Sequence, residues 1–108
     1  MSKTLDFNKL KKKYMTVTLL DGTVLMITTP TKSVLDSFLT MRDTLSDDNM
    51  SDDAIDELYE ICAKIMSRNK AGVVITKERV QDIFDFEDII IFIRAYTEFI
   101  HEVSNAKN

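Results

Sequence analysis

The sequence predicts a single α+β domain in which an N-terminal β-hairpin packs on a bundle of three to four helices. Two β-rich runs flank the Asp21-Gly22 dipeptide, which is typical of a tight hairpin turn. From residue 30 onward, apolar residues recur at helical spacing. The length of 108 residues suits one core, with residues 1–29 forming a short N-terminal element plus the hairpin and residues 30–108 the helical body.

The hairpin is preceded by Phe7, Leu10 and Tyr14, whose spacing predicts a short amphipathic helical turn over 6–13, with a brief strand over 4–7 as the alternative. In the hairpin itself, a two-residue turn would pair Leu19 with Val24. The shared apolar face then contains Met15, Val17, Leu19, Val24 and Met26, and the mixed face contains Thr16, Thr18, Leu20, Thr23, Leu25 and Ile27.

The edges of this hairpin are open to a further strand, because a two-stranded ribbon leaves backbone groups unpaired on both sides. We therefore expect self-association into a homo-oligomer through the hairpin. The predicted residues are Thr16, Thr18, Leu25 and Ile27.

Helix start signals divide the body into four segments. Thr29 can cap a first helix with Pro30 in its first turn, and Ser51 can cap a second helix that closes at Gly72. Thr76 can cap a short third helix. Asp85 begins a final helix over 86–103, with Phe84 placed to pack on Ile89 and acids in its first turn.

The final helix carries more apolar surface than one helix face needs. At about 100° per residue from Ile89, its apolar arc spans about 180°, and Ile91 lies alone near 200°, in the middle of the polar side. This surplus predicts a protein partner, although a helix buried centrally among its neighbours would show the same pattern. The predicted partner-binding residues are Ile90, Ile91, Phe92, Tyr96 and Phe99.

The charges are segregated along the chain. Residues 1–32 hold six Lys and two Asp, residues 33–63 hold nine acids and one Arg, and residues 64–108 hold seven charges of each sign. With a net charge of -4 and only a short basic cluster at 9–13, we expect no nucleic-acid binding. The acidic central segment also leaves open an inhibitor that mimics nucleic acid.

Little in the sequence points to catalysis. No local Ser, Cys or Asp pattern around the only histidine, His101, suggests a catalytic set, so we expect it at the surface. The only cysteine, Cys62, lies on an apolar helical stripe. The aspartates between Asp43 and Asp56 lack the alternating acids, the Gly at loop position 6 and the Glu at loop position 12 of an EF-hand calcium site. We therefore expect no enzyme activity, no cofactor and no metal. The longest apolar run, 89–93, is far shorter than a membrane span, so we expect a cytoplasmic protein without membrane contact.

Three passages resemble the small tail-assembly chaperones of long-tailed phages and prophages of Gram-positive gut bacteria. They are Lys3-Thr-Leu-Asp-Phe-Asn-Lys-Leu-Lys-Lys-Lys-Tyr, Met66-Ser-Arg-Asn-Lys and Phe84-Asp-Phe-Glu-Asp-Ile-Ile-Ile-Phe. The resemblance implies a non-enzymatic protein in the cytoplasm of the bacterial host, which keeps the tape-measure protein soluble and helps recruit tail-tube protein subunits. The alternative is a small phage-derived regulatory or inhibitor protein that acts through its acidic central segment.

Overall fold

The computed structural model describes residues 5–6, 12–45 and 51–105. It confirms the α+β class, with a two-stranded antiparallel hairpin followed by four helices. The predicted helical turn over 6–13 falls largely outside the described residues. So does the polar, acidic stretch over 46–50, where the sequence predicts a break between the first two helices. The elements are β1 (Met15–Thr18), β2 (Val24–Ile27), α1 (Lys32–Leu45), α2 (Asp52–Ser67), α3 (Lys77–Ile83) and α4 (Phe86–Asn105).

The register of the hairpin differs from the prediction by one residue. Thr18 pairs with Val24, and Val17 pairs with Leu25, whereas the predicted two-residue turn pairs Leu19 with Val24. Because side chains alternate between the two faces of a strand, this slip exchanges the faces of β2. The core face therefore carries Met15, Val17, Leu19, Leu25 and Ile27, and the outer face carries Thr16, Thr18, Val24 and Met26.

The turn accounts for the slip. The amide of Gly22 donates to the Leu19 carbonyl at 2.9 Å, and the amide of Leu19 donates to the Thr23 carbonyl at 2.7 Å. Residues 20–22 therefore form a three-residue loop between Leu19 and Thr23, the last hydrogen-bonded pair. Gly22 has the positive φ of 91° that such a loop requires. The Asp-Gly signal located the turn correctly but allowed two loop lengths.

Local side-chain caps begin the helices. Ser51 accepts from the Ala54 amide and Thr76 accepts from the Arg79 amide, each at 3.1 Å, as the sequence predicted. Asp85 and Asp88 each accept a hydrogen bond from the other's backbone amide, which makes the reciprocal capping box at the start of α4. The first helix is the exception, because it begins at Lys32 after Thr31 rather than at Pro30.

The core is centred on the aromatic face of α4. Tyr96 is 1% exposed, and its ring centroid lies 5.0 Å from that of Phe38 of α1 in an edge-to-face arrangement. Phe92 and Phe99 flank Tyr96 on the same helix at 6.0 and 6.1 Å. The apolar side of α2 and the core face of the hairpin complete one contiguous cluster. Most of the apolar arc of α4 is therefore used inside the monomer.

The outer edge of β2 is closed by the segment that follows α2. The Lys70 amide donates to the Met26 carbonyl at 2.9 Å, and the Thr28 amide donates to the Arg68 carbonyl at 2.8 Å. Asn69 between them is buried, and its amide group bonds the carbonyls of Met66 and Val73 and the Val73 amide. This side-chain clamp holds the segment in position along the strand.

Candidate protein-binding site

No described residue pairs with the outer edge of β1. Hydrogen-bonded pairs alternate along an antiparallel ladder, and Leu19 is bonded to Thr23, so Thr16 and Thr18 occupy the non-bonded positions. The backbone N–H and C=O groups of these two threonines therefore point away from β2. Within the described part of the chain, no hydrogen bond is formed by either threonine on that side. This edge can accept another strand.

A groove of about 330 Å³ lies between this open edge and α4. Its floor is mainly apolar, and its walls come from opposite ends of the sequence. Thr16, Val17 and Leu20 form part of one wall, while Ile91 and Ala95 form part of the other. The full lining is Met15, Thr16, Val17, Thr18, Leu20, Phe84, Asp88, Ile91, Phe92 and Ala95.

Ile91 is the feature of α4 that the fold leaves uncovered. Its side chain is 57% exposed, although Ile89, two residues earlier in the same helix, is fully buried. Full burial of an isoleucine is worth about 1.5–3 kcal/mol, so a partner that covers Ile91 gains affinity from it. Leu20, at the other side of the groove, is 72% exposed. Burying the pair would contribute to binding in the same way.

The structure corrects part of the predicted partner-binding set. Phe92, Tyr96 and Phe99 are buried in the protein's own core, because the aromatic arc of α4 packs on the neighbouring elements. Ile90 is half-buried. Of the five residues, Ile91 is the one that is largely exposed, so it is the one best placed to contact a partner.

The predicted hairpin association set divides in the same way. Leu25 and Ile27 lie in the core because of the register slip, so the prediction that they form an association surface is wrong. Thr16 and Thr18 are exposed, and their backbone groups lie on the open edge. They remain candidates for self-association.

The two ends of the groove differ in charge. Lys13 lies 3.9 Å from Glu102, so the start of β1 is beside the end of α4, where Lys12 is also exposed. The end of β1 lies beside the start of α4, since Leu20 and Asp88 line the same groove. Asp88 lines this second end, Asp85 and Glu87 are its neighbours at the start of α4, and Asp21 follows Leu20 in the turn, where it pairs with Arg79 at 2.9 Å.

Asp21 is held ionised at the turn. Its carboxylate accepts hydrogen bonds from the Thr23 amide at 3.0 Å and from Arg79 at 2.9 Å. These bonds, with the Thr23 amide contributing most, lower the pKa of Asp21 from 3.8 to about 2. The Arg79 contact also ties α3 to the tip of the hairpin.

Cys62 and His101, the two residues considered for catalysis, both lie outside the groove. Burial raises the pKa of the Cys62 thiol to about 12, which keeps it protonated and unreactive at neutral pH. His101 is exposed, as expected. Within residues 5–6, 12–45 and 51–105, no three His, Cys, Asp or Glu side chains gather as metal ligands. No helix of this described part is long and apolar enough to cross a membrane.

Sequence reasoning found Ile91 and the strand edge separately but not the groove that joins them. Phe84 and Ala95, which complete the groove, carried no signal of this role, since it depends on how α4 lies against β1. Comparisons of the chain with protein-family models, with curated proteins and with solved structures gave no match.

Proposed function

We propose that this chain is a non-enzymatic tail-assembly chaperone of a phage or prophage, which shields the tape-measure protein and helps recruit tail-tube subunits. The observation that supports the proposal best is the exposed Ile91, placed in a groove beside an unpaired strand edge. Such a surface binds polypeptide, because it offers apolar contact together with backbone donors and acceptors. The resemblance of three sequence passages to this family supplies the identity of the partner.

The groove suits a polypeptide client better than a small ligand. It is open along one side and bounded by exposed apolar side chains, rather than enclosed by convergent polar groups. A chaperone must also release its client, and a shallow groove with few strong anchors favours moderate affinity.

The alternative is a regulatory or inhibitor protein that presents its acidic central segment as a nucleic-acid mimic. Part of this segment is engaged within the fold, since Asp56 accepts bonds from Lys77 and Gln81. Asp52, Asp53 and Glu57 remain exposed on α2. Competition between the chain and DNA for a host enzyme would favour this alternative.

The direct test is co-purification. The full chain is co-expressed with a fragment of the tape-measure protein encoded in the same genome, and the amount of soluble fragment is measured. We expect the fragment to stay soluble and to co-elute with the chain. The substitution Ile91→Asp should abolish this effect, because it places a charge in the groove. A fragment that remains insoluble beside a folded wild-type chain would contradict the proposal.

A matched control separates the groove from the rest of the helix. His101→Asp introduces the same carboxylate on the same helix, at an exposed position that does not line the groove. It should leave co-purification unchanged. If both substitutions abolish binding equally, the effect comes from net charge and not from the groove. The position of the gene between those for tail-tube and tape-measure proteins is a second, independent test.

A further inference from the structure

We propose that the groove is filled by a second copy of this chain, whose β1 pairs antiparallel with β1 of the first and joins the two hairpins into one four-stranded sheet. The two chains are related by a two-fold axis at Val17. This inference goes beyond the proposed function and develops the predicted self-association at Thr16 and Thr18, for which it names the edge, the register and the symmetry. It holds or fails independently of any phage partner.

The backbone of β1 selects the register. Only Thr16 and Thr18 present outward N–H and C=O groups within the strand, so pairing must bring these residues together. With Val17 on the axis, Thr16 of each chain faces Thr18 of the other as a bonded pair. Both pairs then exchange two hydrogen bonds, and Val17 faces its own copy as a non-bonded pair. An isologous contact of this kind closes on itself.

The charges favour a second copy as the occupant. A β1 strand carries Lys12 and Lys13 before it and Asp21 after it. Laid antiparallel in the groove, it brings its two lysines to the acidic end, opposite Asp21 and beside the first turn of α4. A parallel strand would reverse this arrangement and place the lysines beside Lys12 and Lys13 of the first chain.

The apolar side chains that the monomer leaves exposed are covered by the same arrangement. In this register Tyr14 of one chain faces Leu20 of the other, on the outer face of the sheet. On the inner face, both α4 helices lie beneath the joined sheet, with Ile91 and the small Ala95 of each directed toward the groove. The dimer therefore buries Leu20 and Ile91 of both chains.

Disulfide trapping tests the register. Val17→Cys should crosslink to itself under oxidised glutathione, since a non-bonded pair has Cα atoms about 4.5 Å apart. Thr16→Cys or Thr18→Cys alone should crosslink weakly, because their copies are diagonal at about 7–8 Å. Mixing these two variants should restore a crosslink. The wild-type chain is the control, because its own thiol, Cys62, is buried. Self-crosslinking at 16 or 18 that exceeds that at 17 would overturn the register.

Proline substitution tests the edge. Thr18→Pro removes an outward N–H without removing a bond to β2, so the hairpin itself should survive. Each chain loses one intermolecular hydrogen bond, and the dimer dissociation constant should rise about 30-fold by sedimentation equilibrium. Val24→Pro is the matched control, because its N–H points away from β1 on the opposite edge. Circular dichroism verifies that both variants fold.

The outcomes distinguish this inference from the proposed function. A particle of twice 12.4 kDa that Thr18→Pro converts to the monomer supports the dimer. A wild-type chain that is monomeric at high micromolar concentration, or a dimer that Thr18→Pro leaves intact, overturns it even if a tape-measure fragment still binds. A dimer that fails to solubilise the fragment instead removes the proposed function and leaves the dimer standing. If the dimer and the client complex both form, the tape-measure fragment should dissociate the dimer, because the client and the second copy would both occupy the groove at Ile91.

Discussion

The two edges of the hairpin differ in whether another segment is hydrogen-bonded to them. The outer edge of β2 is bonded by residues 68–70, which are clamped by the buried side chain of Asn69. The outer edge of β1 has no such cover among the described residues, and it faces a groove with Ile91 on its far wall. A segment distant in sequence therefore covers the β2 edge, whereas no other described segment covers the β1 edge.

This difference shows that the open edge is not a general property of a small hairpin. Backbone hydrogen bonds from residues 68–70 close the β2 edge, and three side-chain hydrogen bonds of Asn69 hold that segment in place. No comparable contact reaches the outer edge of β1 from the described residues. Free strand edges are sites of aggregation unless they are blocked or used. The contrast makes specific predictions about which edge contributes to stability and which to association.

Of the two hairpin edges, the closed edge is expected to show the larger effect on stability. Asn69→Ala removes three hydrogen bonds at a buried position and should lower the free energy of unfolding by about 2–3 kcal/mol, because the carbonyls of Met66 and Val73 lose their side-chain donor. Urea denaturation measures the change. Thr16→Ala at the open edge should cost less than about 0.5 kcal/mol. Equal losses at both positions would remove the contrast.

A smaller effect is expected at the turn that shapes the clamp. Gly72 has φ of 73°, and its amide donates to the Asn69 carbonyl. Gly72→Ala should cost about 1 kcal/mol from backbone strain alone, since a Cβ atom there meets no neighbour. Hydrogen exchange of the Lys70 amide should accelerate, which reports loosening of the β2 edge. An unchanged Lys70 amide would show that the clamp does not depend on this turn.

Almost no effect on the monomer is expected from the open groove. Ile91→Ser should change the free energy of unfolding by less than about 0.5 kcal/mol, because the side chain is already mostly in solvent. Ile89→Ala, two residues earlier but fully buried, should cost about 2–5 kcal/mol. Both are measured at protein concentrations low enough to prevent association. A large loss for Ile91→Ser would mean that the groove belongs to the core.

The smallest effect concerns pH at the tip of the hairpin. Because the folded pKa of Asp21 is lowered from 3.8 to about 2, its contribution to stability is present above pH 3.8 and is lost as the pH falls toward 2. Its carboxyl carbon, followed by NMR, should titrate with a midpoint near pH 2. Arg79→Gln should raise that midpoint only partly, since the Thr23 amide remains. A midpoint near 3.8 in the wild-type chain would contradict the turn geometry.

The features that depend on local chemistry were predictable from the sequence. The caps at Ser51 and Thr76 and the start of α4 at Asp85 each need only a few neighbouring residues. The position of the hairpin turn was predictable for the same reason. Its register was not, because Asp-Gly serves both two-residue and three-residue loops, and one residue of difference moved Leu25 and Ile27 into the core.

The candidate site was only half predictable. The isolated position of Ile91 on the helical wheel is a local pattern, and its exposure agrees with that pattern. The burial of Tyr96 was not visible, because it depends on Phe38 from a different helix. Asn69 was overlooked for a similar reason. A single polar residue after a helix gives no indication that it will lie against a strand more than forty positions earlier.

The occupied flank of β2 limits how far strand addition can proceed. A hairpin with two unpaired edges can add strands indefinitely, as in fibrils, because each added strand presents a new unpaired edge. Here residues 68–70 already occupy the outer edge of β2, so only one further strand, paired with β1, can be added to the sheet. Oligomerisation by this route is self-limiting, and the clamp at Asn69 is the part of the molecule that sets the limit.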